Sequence, residues 1–337
     1  MIEFLTDYGL FLVKTATIIA GFLIVVGMTI VFSKKSKTLE KLEITSLNDK
    51  YDAIASTLQN QILPKKEIKR LAKERKKEKK ERKKHPEDTN EKRIFVINFH
   101  GDIRATNVAS LREEITAVLT QANETDEVLV ILENTGGIVH EHGLGASQLQ
   151  RLRDSGIPIT VAVDKVAASG GYMMACVAQK IIAAPFAVIG SIGVLAQLPN
   201  FHELMTRQGI RFEQETAGEY KRSVTMFGEN TEKDREKLRE QIEETFTLFK
   251  DFVAQHRPNL DMAKIATGEH WYGTRALELG LIDEILTSDD YLLEASKKAR
   301  LYEITYSAKK SVAERLLSSM QLALGRERSD RFSSQYI

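Results

Sequence analysis

The feature that most constrains this chain is an alternation, from about Arg93 to Thr287, of short apolar runs with longer segments of helical period. Ile94 to Phe99, Val128 to Leu132, Ile159 to Val163 and Lys180 to Ala184 have strand length, and Val108 to Thr120 and Gly143 to Arg153 repeat their apolar residues at helical spacing. Alternation of this kind predicts an α/β fold with a mostly parallel sheet wrapped by helices. Further along, Thr231 to Gln255 predicts one amphipathic helix with Ile242, Phe246, Leu248, Phe249 and Phe252 on its core face. Gly273 to Asp283 predicts a helix stopped at Gly280 and then a short strand, and Leu301 to Tyr306 predicts another strand. Ser311 to Leu324 has the pattern of an amphipathic helix ahead of a polar tail, and no domain-scale repeat is present.

One junction in this pattern carries chemistry. Ala167-Ala168-Ser169-Gly170-Gly171 lies between the apolar run ending at Val163 and the apolar helical segment Tyr172 to Val177. A serine at a strand-to-helix junction can present its hydroxyl to open space. The N–H groups of Ser169 and Gly170 would be helix-start donors without partners, and the helix dipole favours negative charge beside them. The local chemistry suits acyl transfer, although an N-cap serine followed by packing glycines fits the same letters. Upstream, Val128 to Leu132 runs into Glu133-Asn134-Thr135-Gly136-Gly137, where Gly136 is the candidate second oxyanion donor. Downstream, Phe212 to Ser223 leaves an expected strand, passes Gly218 and presents Lys221, a candidate base. A lysine accepts a proton only when neutral, which requires burial or a neighbouring cation; one lysine among many is by default a surface residue, and local sequence does not set Lys221 apart.

The order of these pieces is more specific than any of them alone. Asn134-Thr135-Gly136-Gly137, Ala168-Ser169-Gly170-Gly171-Tyr172, Gly190-Ser191-Ile192-Gly193-Val194 and Gly218-Glu219-Tyr220-Lys221-Arg222 occur in that sequence. Through them the chain resembles the signal peptide peptidase A family of Ser-Lys proteases, most closely its SohB branch. The resemblance implies a ClpP/crotonase-like fold, Ser169 as nucleophile, Lys221 as base, main-chain oxyanion donors at Gly136 and Gly170, and Ser191 as a hydroxyl that orients the lysine amine. It also implies that no metal or cofactor takes part. Where the family usually has Ser-Pro before the paired glycines, this chain has Asn134-Thr135.

Other residues bound the alternatives. His140 and His142 lie two apart, and no His-Glu-x-x-His helix exists, so metal-dependent hydrolysis has no sequence support. A Ser-His-Asp triad using His140 or His142, as in ClpP-like relatives of the fold, stays open on chemistry alone. The single cysteine, Cys176, cannot close an intrachain disulfide and falls in the apolar segment after Ser169, where packing is its expected role.

The N-terminus carries a separate message. Thr15 to Phe32 is an uncharged run of 18 residues, long enough to span a bilayer as one transmembrane helix. Glu3 and Asp7 precede it and Ser33-Lys34-Lys35 follows, which fits an uncleaved anchor better than a cleaved signal peptide. The domains expected are therefore an anchor over residues 1–33, a basic linker over 34–90, a catalytic domain over 91–310 and a C-terminal helix with a polar tail over 311–337. Lys65 to Lys84 holds 13 Lys or Arg against 4 Glu in a chain whose net charge is +1. A solvated spacer is its default reading, with anionic lipid headgroups as the functional alternative. Nucleic acid is not an expected partner, because no aromatic residue interrupts the basic run.

Two function classes follow. The first is a single-pass endopeptidase of the bacterial inner membrane, cleaving signal peptides or other hydrophobic fragments of membrane proteins through an acyl-enzyme. One catalytic copy per chain suggests a homo-oligomeric ring. The second is a crotonase-like acyl-transfer enzyme or a catalytically silent membrane adaptor. For orientation, the resemblance puts the catalytic domain in the periplasm, whereas Lys34, Lys35, Lys37 and the later basic run would hold it in the cytoplasm.

Overall fold

The computed structural model describes residues 9–11, 13–17, 19, 21, 40–84 and 92–308. Residues Leu42–Tyr306 form one compact unit. The first elements are β1 (Glu40–Ser46), α1 (Leu47–Ile62), α2 (Lys65–Lys84), β2 (Arg93–Gly101), α3 (Val108–Leu119), β3 (Glu127–Asn134) and α4 (Val139–Asp154). After them come β4 (Ile159–Val163), β5 (Val166–Ala168), α5 (Gly170–Ala175), β6 (Lys180–Ala183), β7 (Val188–Gly190), α6 (His202–Arg207) and α7 (Glu232–His256). The chain continues through α8 (Met262–Ile265), β8 (His270–Tyr272), α9 (Gly273–Glu278), β9 (Glu284–Ile285), α10 (Ser288–Ala295) and β10 (Arg300–Ala308).

The main sheet runs β1-β10-β2-β3-β4-β6-β9, and every pair from β10 to β9 is parallel. Its strands are apolar along their length because both faces are covered. Phe95, Ile97, Phe99, Val128, Val130, Leu132, Val161 and Ile181 point into one core, shared with α3, α4, α5 and α7. Their neighbours Ile94, Val96, Leu129, Ala162 and Ile182 point into a second core, shared with Leu47 of α1 and Leu292 of α10. A branch leaves this sheet where β5 pairs with β3 at Asn134↔Ala167; β7 adds to β5 in parallel and β8 to β7 in antiparallel sense. It is this branch that carries the chain away from the main sheet at the carboxyl end of β3.

Three expectations change. Residues 34–90 are not all linker, because β1 is an edge strand of the main sheet and Leu47 is buried. Asn48 ties α1 to the domain by donating to the carbonyls of Ser296 and Ala299 and accepting from Leu301 N–H. No strand precedes Lys221, since residues 211–216 have no regular structure. On α7 the buried side chains are Phe249, Val253 and His256, and Leu248 is exposed. The basic segment Lys65–Lys84 is helical. The uncharged run 15–32 lies mostly outside the described residues, as does 311–324, and among those described no helix is long and apolar enough to cross a membrane.

Candidate active site

The carboxyl ends of β3, β5 and β7 meet at one point, because the register that pairs Asn134 with Ala167 and Ala168 with Gly190 sets the next residues side by side. Those residues are Ser169 and Ser191. Both depart from ordinary backbone geometry, with φ of +53° at Ser169 and +51° at Ser191. Such conformations cost about 1–3 kcal/mol each at a non-glycine residue and persist only where the surroundings impose them. Here Ser169 N–H donates to Gly190 O at 2.7 Å, Met173 N–H donates to Ser169 O at 3.0 Å, and Ser191 N–H donates to Glu269 O at 2.7 Å. The turn ahead of α5 is thus pinned from both sides, and the half-buried Ser169 Oγ makes no hydrogen bond among the described residues.

The donors around Ser169 differ in part from expectation. Its own N–H is occupied by Gly190 O and is not a free helix-start donor. Gly136 N–H is also occupied, donating to Asn134 Oδ1 at 2.8 Å. Gly136 stands directly against the Ser169 turn: with φ of +85°, a Cβ there would lie 2.7 Å from Ser169 Cβ and 2.8 Å from Gly170 N, so only glycine fits. Among the described residues, the N–H groups of Gly137 and Gly170 have no partner; Gly170 follows Ser169 at the start of α5, and Gly137 follows Gly136 in the β3 loop. The sequence points to Gly136; that its N–H is taken depends on where the Asn134 carboxamide points.

The histidines separate cleanly. His140 is exposed and its nearest carboxylate is that of Glu141, 3.8 Å away. His142 is fully buried, with Nδ1 2.9 Å from Ile138 O and Nε2 3.1 Å from Asn134 Oδ1. Both of its ring nitrogens are directed at oxygens other than Ser169 Oγ, so the described geometry offers no Ser-His pair. Cys176 is buried, and burial pushes its thiol up to about 12, which leaves it without nucleophilic character.

Lys221 is exposed on the irregular segment after α6. It lines an open cleft of about 640 Å³ with Leu198, Phe212, Val224, Met226 and Phe227. Ser169 does not line that cleft, and no described hydrogen bond joins Lys221 to Ser169 or Ser191. The structure therefore brings together Ser169, Ser191, Gly136 and Gly170, and shows no contact of Lys221 with them among the described residues. No group of three or more His, Cys, Asp or Glu side chains among the described residues is placed to hold a metal ion.

Comparisons with known proteins give the family. Residues 3–149 match the pattern of Peptidase family S49 N-terminal and residues 151–302 that of Peptidase family S49. The chain is 48% identical to the Probable protease SohB of Haemophilus influenzae, over 93% of this chain and 92% of that protein. It is 47% identical to the Probable protease SohB of Buchnera aphidicola subsp. Acyrthosiphon pisum, over 94% of each. A more distant relative is the Putative signal peptide peptidase SppA of Enterococcus faecium, 28% identical over 65% of this chain and 67% of that protein. Among solved structures, a 1510-N membrane-bound stomatin-specific protease in complex with a substrate peptide aligns with a TM-score of 0.45 at 15% identity, over 68% of this chain and 98% of that one. With two family patterns covering most of its length and close relatives matched almost end to end, this chain belongs to peptidase family S49.

Proposed function

We propose that this protein is a serine endopeptidase in which Ser169 attacks a peptide carbonyl, Lys221 takes its proton, and the oxyanion rests on the N–H groups of Gly137 and Gly170. The observation that carries the reading is the strained turn at Ser169, which holds an unpartnered hydroxyl next to the unpartnered N–H of Gly170 and against Gly136 of the β3 loop. Attack forms the Ser169 Oγ–acyl bond, the proton from Oγ passes to the amine and on to the leaving nitrogen, and water hydrolyses the acyl-enzyme. Ser191, next to Ser169 in register, is suited to orient the amine.

The exposed position of Lys221 bears on assembly. A lysine works as a base when it is withdrawn from water, and Leu198, Phe201, Phe212 and Phe227 around it are exposed apolar side chains. Packing of this face against other copies in a homo-oligomeric ring would bury both. Apolar side chains of this kind also suit hydrophobic peptide substrates, in line with the name of the Enterococcus faecium relative.

The run 15–32 anchors the protein in a bacterial inner membrane, with the catalytic unit in the periplasm as the family resemblance implies; a C-terminal reporter enzyme active on only one side of the membrane decides the orientation. For the chemistry, Ser169→Ala and Lys221→Ala should each lower peptide cleavage by roughly a million-fold, as residues that act as a unit do, with Ser191→Ala losing less. Near-normal turnover in Lys221→Ala, with loss in His142→Ala alone, would refute the dyad.

A further inference from the structure

Outside the residues assigned to the reaction, one buried titratable side chain touches both walls of the site. The ring of His142, on the first turn of α4, lies 3.1 Å from Asn134 Oδ1 through Nε2. A third group fixes which end of that carboxamide faces the ring. Gly136 N–H donates to the same Oδ1 at 2.8 Å, while Asn134 Nδ2 lies 3.5 Å from Met174 Sδ. Turning the amide over would set an NH2 group against the Gly136 N–H. On its other side, the ring fills the space where a Cβ on Gly170 would lie, 2.5 Å from His142 Cγ.

We propose that His142 is a positioning residue for the oxyanion site. Its Nε2–H holds the Asn134 carboxamide, the carboxamide holds Gly136 N–H, and the ring face sets the distance to Gly170. Gly136, which leads into Gly137, and Gly170 are thereby spaced by a single side chain. Oxyanion donors act only when fixed close to their final positions, so the clamp enters the rate through geometry. The inference rests on Ser169 being the acyl-transfer nucleophile. Nδ1 also faces an oxygen, Ile138 O at 2.9 Å, so the ring donates to both partners when both nitrogens carry hydrogen; with one hydrogen, the tautomer bearing it on Nε2 is the one that clamps.

Two measurements on the full chain test this. In ¹⁵N spectra of histidine-labelled protein, with the His142 signals assigned by their loss in His142→Gln, Nε2 should have the shift of a protonated nitrogen; a ring with hydrogen on Nδ1 alone overturns the clamp. Acylation of Ser169 by a fluorophosphonate should slow by roughly 10–100-fold in His142→Phe, less than the loss of a whole donor. The KM for a test peptide should hold, and His142→Gln, whose amide can still donate to Asn134 Oδ1, should stay within about threefold of wild type. Wild-type acylation in His142→Phe overturns the proposal. Should that variant fail to fold, a His142→Gln protein that is folded but acylates tenfold or more slowly than wild type overturns it as well. If wild type is not acylated at Ser169, the nucleophile reading falls, and the ¹⁵N measurement still decides the contact to Asn134.

Discussion

Gly170→Ala is the substitution whose effect the structure specifies most closely. The added methyl would lie 2.5 Å from His142 Cγ and 2.7 Å from its Cβ and Cδ2. Carbon atoms rest at about 3.5–4.0 Å, so the ring must retreat by about 1 Å. It has nowhere to go without breaking contacts, being fully buried and directed at Ile138 O and Asn134 Oδ1. Overpacking of this kind costs about 1–3 kcal/mol. At about 2–4 °C per kcal/mol for a domain of this size, the expected fall in Tm is about 2–12 °C. The assay is a double-mutant cycle read by thermal unfolding, with Gly170→Ala, His142→Ala and the pair. Removing the ring makes room for the methyl, so the pair should be at least about 1 kcal/mol more stable than the sum of the single effects. A Gly170→Ala protein that melts with wild type, or single effects that add within about 0.5 kcal/mol, would refute the packing argument.

Two further outcomes are expected. Burial pushes the Glu114 carboxyl above its ordinary range, opposed in part by the Tyr306 N–H it accepts. A carboxyl whose folded pKa is raised contributes stability that is present below its unfolded pKa and lost as pH rises through the folded value, so Glu114→Gln should raise Tm at pH 8 and lose that advantage near pH 4; a difference that does not vary with pH contradicts this. Removal of residues 1–39 should leave the catalytic unit folded, whereas removal of residues 1–89 strips β1, the buried Leu47 and the three hydrogen bonds of Asn48. At about 1.5–3 kcal/mol for the leucine and about 1 kcal/mol per hydrogen bond, the shorter protein should be less stable by about 4.5–6 kcal/mol in denaturant titration, and equal midpoints would count against the account.

The central strands were legible because each is buried on both faces and so reads as an uninterrupted apolar run. Val128 to Leu132 and Ile159 to Val163 fall within or coincide with β3 and β4. The strands β5, β7 and β8 have three residues each, too few for any period to show, although β5 and β7 aim the two serines. α4 begins at Val139, four residues ahead of the helical pattern that starts at Gly143, and Val139 and Leu144 in its first turns remain exposed. At the site, Ser169 and Gly170 could be read from small residues at a junction. The occupation of Gly136 N–H could not, because it depends on the Asn134 side chain and on a histidine eight positions away. The strand expected before Lys221 is absent, and Phe212 is the one large apolar side chain in Phe212 to Thr216, too little to hold that stretch against a core.

The central claim is that Ser169 is an activated nucleophile served by Lys221. Its most direct test is mass spectrometry of the full chain after reaction with a fluorophosphonate, with the adduct mapped to a residue and its rate of formation followed. The account predicts one adduct, on Ser169, absent in Ser169→Ala and formed at least a hundredfold more slowly in Lys221→Ala. An adduct on another residue, no adduct on folded protein, or an unchanged rate in Lys221→Ala would contradict it.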